Sequence, residues 1–335
     1  LVSAGALAAA GMVPLLTRAP NGFWRMPPGC DSFAAFGYGN HAAAYFVMLG
    51  AVAAGLLFHE GFRRDRPVKR MAAGGFLAAL LLCLLGANLS LSRTGIVLAW
   101  ILAAGTAGYG LARSWRRSRP AGRLRWLAAT VAAGVVLYFT VLGAGGPAIR
   151  TEFRVKRPPR AQLIPAWQTV NLDLSDRPRL WNIAWQVFKA HPVYGVGGWG
   201  FRYLAGFHLP ADMRNHWDKN YGRSNVHCDP LQFLTEFGLA GAGLMAAALG
   251  ALLAPLFRPD LHRGAVFTFT GTGLALVLAF SLLDLPFRCP AILWTWTALL
   301  AAMPKLTIRK SPPPPPGMSR LPAACPAGNP QDLCP

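Results

Sequence analysis

The chain alternates long apolar stretches with short polar connectors, and this pattern determines the architecture that we expect. Each stretch is close to the roughly 20 residues that a helix needs to cross a membrane. Glycine and alanine are frequent within the stretches, and small residues let membrane helices approach closely. The pattern predicts an all-α protein, a polytopic transmembrane helical bundle. Its eight apolar stretches lie at about 1–17, 40–58, 71–88, 95–112, 126–143, 231–257, 264–283 and 289–304.

The connectors differ in charge, and the difference predicts how the helices are oriented. Four of them are rich in lysine and arginine: 59–70, 113–125, 258–263 and the segment after Pro304. All four fall on one side if every apolar stretch crosses, and the positive-inside rule makes that side the cytoplasm. The opposite side then receives the remaining connectors: 18–39, 88–94, about 143–230 and 284–288.

This orientation divides the chain into four parts. Residues 1–142 contain about five N-terminal helices, 143–230 form a long, partly helical loop, and 231–304 contain three C-terminal helices. Residues 305–335 are Pro-rich and are expected to be a disordered cytoplasmic tail. The chain starts at Leu1 and directly with an apolar stretch, so we expect the native set of helices to begin further upstream.

Composition agrees with a membrane protein. Hydrophobic residues make up 53% of the chain and charged residues 14%, against roughly 25% charge in an ordinary soluble domain. A net charge of +20 would indicate a nucleic-acid partner in a soluble protein, but here basic connectors account for much of it. The surplus in the long loop, twelve Lys and Arg against six Asp and Glu, suits anionic lipid headgroups, a pyrophosphate or plain solvation.

The long loop has an internal order of its own. Apolar residues at helical spacing predict an amphipathic helix over 177–190, which His191 and Pro192 end. The glycine-rich run 195–201 permits tight turns and a close approach of the backbone to a ligand. A dinucleotide site would need a surrounding βαβ unit, and the sequence predicts none.

Polar residues gather where this loop meets the membrane. His227 precedes the next helix, where an imidazole can take a proton from a hydroxyl at neutral pH or serve as a hydrogen-bonded structural group. Gln232 and Glu236 follow inside that helix, where ionisable groups are costly and are functional candidates by default. On the same side, Arg93 can bind phosphate oxygens or extend to lipid headgroups, and the turn 284–288 indicates a local pair of Asp284 and Arg288.

Metal and disulfide chemistry have weaker support. His208, Asp212 and His216 can share one face of a short helix, but solvated loop side chains explain them better than a metal site. Cys30, Cys228 and Cys289 are expected on or near the loop side. The sequence is compatible with a disulfide among them and equally with unpaired thiols.

Four segments carry a resemblance to a known family: LSLSRTGIVLAW (89–100), DRPRLWNIAWQVFKAHPVYGVGGWGF (176–201), HCDPLQFLTEFGLAG (227–241) and SLLDLPFRCPA (281–291). A weaker match is GYGNHAAAYFVM (37–48). Together they resemble the O-antigen ligase and O-antigen polymerase superfamily of bacterial membrane glycosyltransferases. Cys228 stands where that family commonly has asparagine.

The resemblance implies a reaction. A glycan is transferred from undecaprenyl diphosphate to an acceptor hydroxyl on the periplasmic face of the inner (cytoplasmic) membrane, with no cofactor and no metal. A ligase uses lipid A–core as acceptor, a polymerase uses another repeat unit, and related enzymes use serine or threonine of a protein. The partners implied are the lipid-linked glycan, the acceptor and membrane lipids, with no nucleic acid. A polysaccharide or lipid transporter is the alternative, but the apolar stretches show neither paired charges nor repeated halves.

The resemblance also assigns roles to residues. It implies that His227 is the catalytic base and that Arg93 and Arg177 bind the diphosphate, with Arg179 as the alternative to Arg177. Three further residues are expected to support them: Glu236, Gln232 and Arg288.

Overall fold

The computed structural model describes residues 1–17, 33–60, 67–90, 92–117, 172–208, 225–257, 261–262, 264–306 and 308–309, with five helical residues among 128–135. These ranges consist of helices joined by turns, apart from one pair of two-residue strands. The all-α, polytopic helical fold predicted from the sequence is confirmed.

The described helices are α1 (Val2–Thr17), α2 (Gly39–Glu60), α3 (Pro67–Leu89), α4 (Arg93–Arg117), α5 (Leu172–Ala190), α6 (Gly200–Leu204), α7 (Asp229–Leu253), α8 (Ala265–Ser281) and α9 (Pro290–Ala302). Four 3₁₀ turns adjoin these helices: Ala205–His208, Ala254–Phe257, Pro286–Arg288 and Met303–Leu306. Strands β1 (Leu261–His262) and β2 (Ile308–Arg309) pair in antiparallel fashion.

Four described helices are long and apolar enough to cross a membrane: Gly39–Glu60, Met71–Leu89, Arg93–Arg116 and Asp229–Phe257. Val2–Gly11 and Ala265–Ser281 are shorter apolar helices. The predicted stretch 289–304 is divided between α9, which has 13 residues, and the 3₁₀ turn that follows it. The predicted stretch 126–143 lies mostly outside the described residues.

Helix α2 is the central element of the bundle, and small residues bring its neighbours close. A Cβ added at Gly50 would lie 3.2 Å from the Cβ of Cys83 on α3. One added at Gly273 of α8 would lie 2.7 Å from the Cβ of Ala51. The small residues that are frequent in the apolar stretches therefore permit close helix packing, as in other membrane bundles.

Contacts at the two ends of α2 show that the helices alternate in direction. At one end, Phe58 packs against Tyr109 of α4 and Phe269 of α8, with ring centroids 4.8 and 5.3 Å apart. At the other end, Asn40 donates a hydrogen bond to Asp284, which follows α8. We call these the Phe58 end and the Asn40 end.

The four basic connectors all adjoin the Phe58 end. Residues 59–70 follow Phe58 directly, and 113–125 follow the turn of α4 that bears Tyr109. Pairing of Leu261 with Arg309 joins the described residues of the last two connectors, 261–262 and 308–309. The described helix ends that flank these connectors thus lie at one end of the bundle, as the predicted grouping requires.

Helix α5 and the segment after it form a second, smaller core. The predicted helix begins five residues earlier than expected, at Leu172, and ends at Ala190 as predicted. Its apolar face is buried together with Phe201 and Ala205 of the following segment and Val226 of the next. The residues that α5 contributes to this core are Leu180, Ile183, Ala184 and Val187.

The glycine-rich run approaches another backbone segment closely. Helix α7 is kinked at Gly238, whose φ of 63° and ψ of −166° are not helical. Leu239 N donates to Pro192 O at 2.8 Å, and Gly197 N donates to Glu236 O at 2.8 Å. A Cβ on Gly195 would lie 2.4 Å from the Glu236 carbonyl. The sequence suggested that this backbone could approach a ligand closely. At Gly195, it approaches the kinked turn of α7 instead.

This packing makes Gly238 intolerant of a side chain. In Gly238→Ala, the new Cβ would lie 2.4 Å from Val193 O, in a backbone region that essentially only glycine adopts. We expect a loss of about 2–4 kcal/mol of stability, combining roughly 1–3 kcal/mol of backbone strain with the contact. Thermal unfolding of the purified protein in detergent measures this, with Gly243→Ala as control, because a Cβ there meets nothing within 4 Å. An equal melting temperature for both variants would contradict the expectation.

Candidate functional site

Asp284 is the centre of a polar cluster at the Asn40 end. Its side chain lies in the turn between α8 and α9 and is 1% exposed. One carboxylate oxygen accepts from Leu285 N at 2.8 Å, and the other accepts from the Tyr38 hydroxyl at 3.2 Å. Asn40 Nδ2 donates to that second oxygen as well. The N-terminus of α2 therefore holds a buried carboxylate in one orientation.

His227 faces this carboxylate. Its Nδ1 lies 3.5 Å from Asp284 Oδ1, and a third of its side chain is exposed. The backbone of His227 has a φ of 54°, in the left-handed region that non-glycine residues seldom adopt. Such conformations persist only where the surroundings enforce them, and they cluster at functional sites.

The contacts of Asp284 and Tyr38 determine the protonation state of each side chain. Burial alone would raise the pKa of Asp284, but His227, the Leu285 N–H and the Arg177 guanidinium outweigh it and hold that pKa below its usual value. The carboxylate is therefore ionised at neutral pH. Burial, followed by the charge of Asp284, raises the pKa of Tyr38, so its hydroxyl stays protonated and can donate.

Arg177 reaches the same turn, whereas Arg179 does not. Nη1 of Arg177 donates to Leu283 O at 2.6 Å, next to Asp284. Arg177 lies on the face of α5 that packs on the protein, since Leu180 and Ala184 follow it by three and seven residues and are buried. Arg179 is exposed. Of the two arginines proposed as alternatives, the structure brings Arg177 to the turn that holds Asp284.

Arg93 is the first residue of α4, also at the Asn40 end. Ser92 caps the helix by accepting from Gly95 N at 3.1 Å. A Cβ on Gly95 would collide with that of Ala43, one turn along α2 from Asn40. Arg93 is exposed. It therefore lies on the same surface of the bundle as the cluster around Asp284.

The buried Gln232 and Glu236 form a network with the partly exposed Arg288 beside the histidine. Gln232 Oε1 accepts from Val226 N at 3.0 Å, which fixes the residue before His227. Gln232 Nε2 donates to Glu236 Oε1 at 2.9 Å, and Arg288 Nη2 donates to Glu236 Oε2 at 2.5 Å. The predicted local pair of Asp284 and Arg288 is wrong: Arg288 pairs with Glu236, and Asp284 with His227.

Two hydrogen bonds of Asp229 also join the 284–288 turn to the start of α7. Asp229 Oδ2 accepts from Phe287 N at 2.9 Å, and Asp229 N donates to Asp284 O at 3.2 Å. These bonds fix His227, two residues before Asp229, relative to Asp284. Sequence reasoning missed Asp229, Tyr38 and Asn40 as members of the cluster, although Tyr38 and Asn40 lie in the segment 37–48.

Among the described residues, the cysteines next to this cluster form no disulfide, and two of the three weighed metal ligands lie outside the described residues. Cys228 and Cys289 are free thiols, and burial raises the pKa of Cys228, so its thiol is protonated at neutral pH. Cys30 is outside the described residues, as are Asp212 and His216. His208 ends the 3₁₀ turn after α6.

The arrangement combines an ionised carboxylate, an imidazole that it faces, and arginines at one end of an apolar bundle. An imidazole held in this way can accept a proton from a hydroxyl, and guanidinium groups can stabilise charge that develops on phosphate oxygens.

Comparison with known families agrees with this chemistry. The family model described as O-antigen ligase matches residues 78–246, just over half of the chain. The chain belongs to the O-antigen ligase family. Comparison with curated proteins gave no match. The matched range of this O-antigen ligase family member includes Arg93, Arg177, His227 and Glu236, whereas Asp284 and Asn40 lie outside it. The family and the apolar helices together make the chain a multi-pass membrane protein with a glycosyltransferase-like activity.

Proposed function

We propose that this protein transfers a glycan from undecaprenyl diphosphate to an acceptor hydroxyl, with lipid A–core as the acceptor, at the periplasmic face of a bacterial inner membrane. The observation that carries the proposal is the contact of His227 Nδ1 with the ionised Asp284, beside Arg177. The Asn40 end is assigned to the periplasm because the basic connectors adjoin the opposite end.

In this proposal His227 is the general base. Because Nδ1 faces Asp284, the proton of a neutral ring is on Nδ1 and the lone pair is on Nε2. Nε2 accepts the proton of the acceptor hydroxyl as its oxygen attacks the anomeric carbon. The bond from that carbon to the diphosphate oxygen breaks, and undecaprenyl diphosphate leaves with the electron pair. Direct displacement of this kind inverts the anomeric configuration.

Positive charge for the leaving diphosphate comes from Arg177 and Arg93. Arginine presents planar, permanently charged donors that match phosphate oxygens, and such donors act best where they are already in place when charge develops. Arg177 is held at the turn by Leu283 O. Glu236, Gln232 and Arg288 then act as positioning residues, because their mutual bonds hold the segment that bears His227.

The function is tested with the purified protein in proteoliposomes. The donor is undecaprenyl diphosphate bearing an O-antigen glycan, and the acceptor is lipid A–core. We expect a ligated lipid A–core product and release of undecaprenyl diphosphate in equal amounts. Lengthening of the glycan without lipid A–core would assign a polymerase instead, and transfer to serine or threonine of a protein would assign a protein glycosylating enzyme. Transport of the donor with no new glycosidic bond would contradict all three.

Lysine is not expected to replace either arginine. Arg177→Lys and Arg93→Lys keep the charge but lose the planar pair of donors. One charged hydrogen bond contributes about 1.5–3 kcal/mol, so we expect transfer to slow by about 10–100-fold. Initial rates at saturating acceptor, with donor concentration varied, measure the effect. Arg179→Lys is the matched comparison, and a larger loss there would move the assignment from Arg177 to Arg179.

A further inference from the structure

A short stretch of the long loop presents large aromatic side chains outward. Within 193–208, Phe201 and Ala205 are fully buried against α5. Tyr194, Tyr203 and Phe207 are nevertheless 79%, 73% and 79% exposed in the part of the chain that the structure describes. One face of the stretch is thus packed on the protein while the other presents aromatic surface.

The depth of this stretch in the membrane follows from helix α7. The apolar part of that helix beyond its kink, 239–257, measures roughly 28 Å at about 1.5 Å per residue. This is close to the hydrocarbon thickness of about 30 Å. Its far end reaches the Phe58 end, where Leu256 is buried in the main core with Met303. Gly238 therefore marks the opposite boundary of the hydrocarbon layer.

Backbone hydrogen bonds hold the aromatic stretch at that boundary. Leu239 N and Ala240 N donate to Pro192 O and Val193 O at 2.8 and 2.9 Å, immediately beyond the kink. The backbone of 192–197 is thereby joined to the point where α7 enters the membrane. Beyond this junction α7 also presents apolar side chains, with Leu239 and Leu244 59% and 75% exposed.

The charges near the stretch fit the headgroup layer. Trp199, half exposed, lies under the guanidinium groups of Arg202 and Arg288, each 4.7 Å from the centroid of its ring. Tryptophan and tyrosine are enriched where membrane meets water, and arginine extends from that level to headgroup phosphates. Aromatic side chains on one face with arginines beside them match an interfacial membrane element.

We propose that residues 193–208 are an interfacial membrane anchor, with Tyr194, Tyr203 and Phe207 inserted among the lipids of the leaflet at the Asn40 end. The occupant of the aromatic face is thus the bilayer itself. Because Phe201 and Ala205 pack on α5, the anchor also fixes the height of that helix above the bilayer. Arg177, on α5, is held at the level of lipid headgroups in consequence.

Depth-dependent quenching of a fluorescent label tests the anchor without any assay of activity. Tyr203→Cys and Phe207→Cys are made in full-length chain whose cysteines, except the buried Cys83, are serine. Each variant is labelled with nitrobenzoxadiazole and reconstituted in phosphatidylethanolamine–phosphatidylglycerol vesicles. We expect nitroxide lipids to quench both labels several-fold more strongly than a label in Asn182→Cys, on the exposed side of α5. Aqueous iodide should show the reverse order.

Two outcomes would overturn the anchor. Iodide quenching at positions 203 and 207 as strong as at 182, with weak quenching by nitroxide lipids, would place the aromatic face in water. Protection from both quenchers would show that protein covers it. Because labels at two positions are compared, a single variant that fails to fold leaves the other to decide. Label quenching is measured independently of glycan transfer, so loss of the proposed activity would not by itself affect the result.

Discussion

Replacing His227 with alanine is expected to slow glycan transfer by about 10²–10⁴-fold, the usual contribution of a general base. The reason is that the acceptor hydroxyl then has no group to take its proton as the glycosidic bond forms. Binding of the donor should change little, because the arginines that contact the diphosphate remain. Turnover in proteoliposomes, measured with saturating donor and acceptor, gives the loss.

Backbone strain complicates the alanine variant, and a second substitution removes the ambiguity. His227 has a φ of 54°, and asparagine tolerates this region better than alanine does. His227→Asn should therefore keep the local fold and still lose the base. His59→Ala, at the Phe58 end, is the control and should transfer at the normal rate. If His227→Asn retained full activity, the assignment of His227 as base would be wrong.

The helices were predictable from the sequence because the features that a helix requires lie within its own stretch of residues. A membrane-spanning helix needs a continuous apolar stretch, and the described stretches at 40–58, 71–88 and 95–112 became α2, α3 and α4. The same local reasoning predicted that α5 is amphipathic and ends at Ala190. Its earlier start, with Pro178 inside the helix, was not evident from the spacing of apolar residues.

Partners in the candidate site were not predictable in this way. Asn40 and Asp284 are separated by 244 positions and meet only because α2 and α8 run antiparallel with close contact. The pairing of Arg288 with Glu236 instead of Asp284 depends on the direction of α7 relative to the turn. A turn of five residues offers a carboxylate and a guanidinium that can pair locally, and nothing in the sequence excludes that pairing.

The glycine-rich run shows a different limit. The sequence correctly indicated that the backbone of 195–201 approaches another group closely, since glycine is the residue that permits it. It could not identify that group. The partner is the kink at Gly238, and this glycine lies in a segment that reads as continuous apolar helix. Gly195 and Gly238 both have a positive φ, and only their contact in the fold explains why glycine is required at each position.

Asp284→Asn is expected to reduce turnover nearly as much as loss of the histidine. Asparagine can donate its amide hydrogen to Nδ1 of His227, which would stabilise the ring form whose proton is on Nε2. That form cannot accept a proton from the acceptor, so transfer should fall by about 10²–10³-fold, mostly in kcat. Rates measured against donor concentration for Asp284→Asn and Asp284→Glu separate a change in kcat from a change in KM. We expect partial recovery of kcat in the glutamate variant.

The same substitution also changes how stability depends on pH, and the pH–rate profile then separates a structural role of Asp284 from an orienting one. The pKa of Asp284 is lower in the folded protein than its ordinary value, so its ionised form stabilises the fold at every pH above that ordinary value of about 3.9. This stability is lost as the pH falls through the lower, folded pKa. Asp284→Asn should therefore lower the melting temperature at pH 7 and abolish this acid dependence. A variant with reduced stability but normal turnover and an unchanged pH–rate profile would show that Asp284 holds the turn together and does not orient His227.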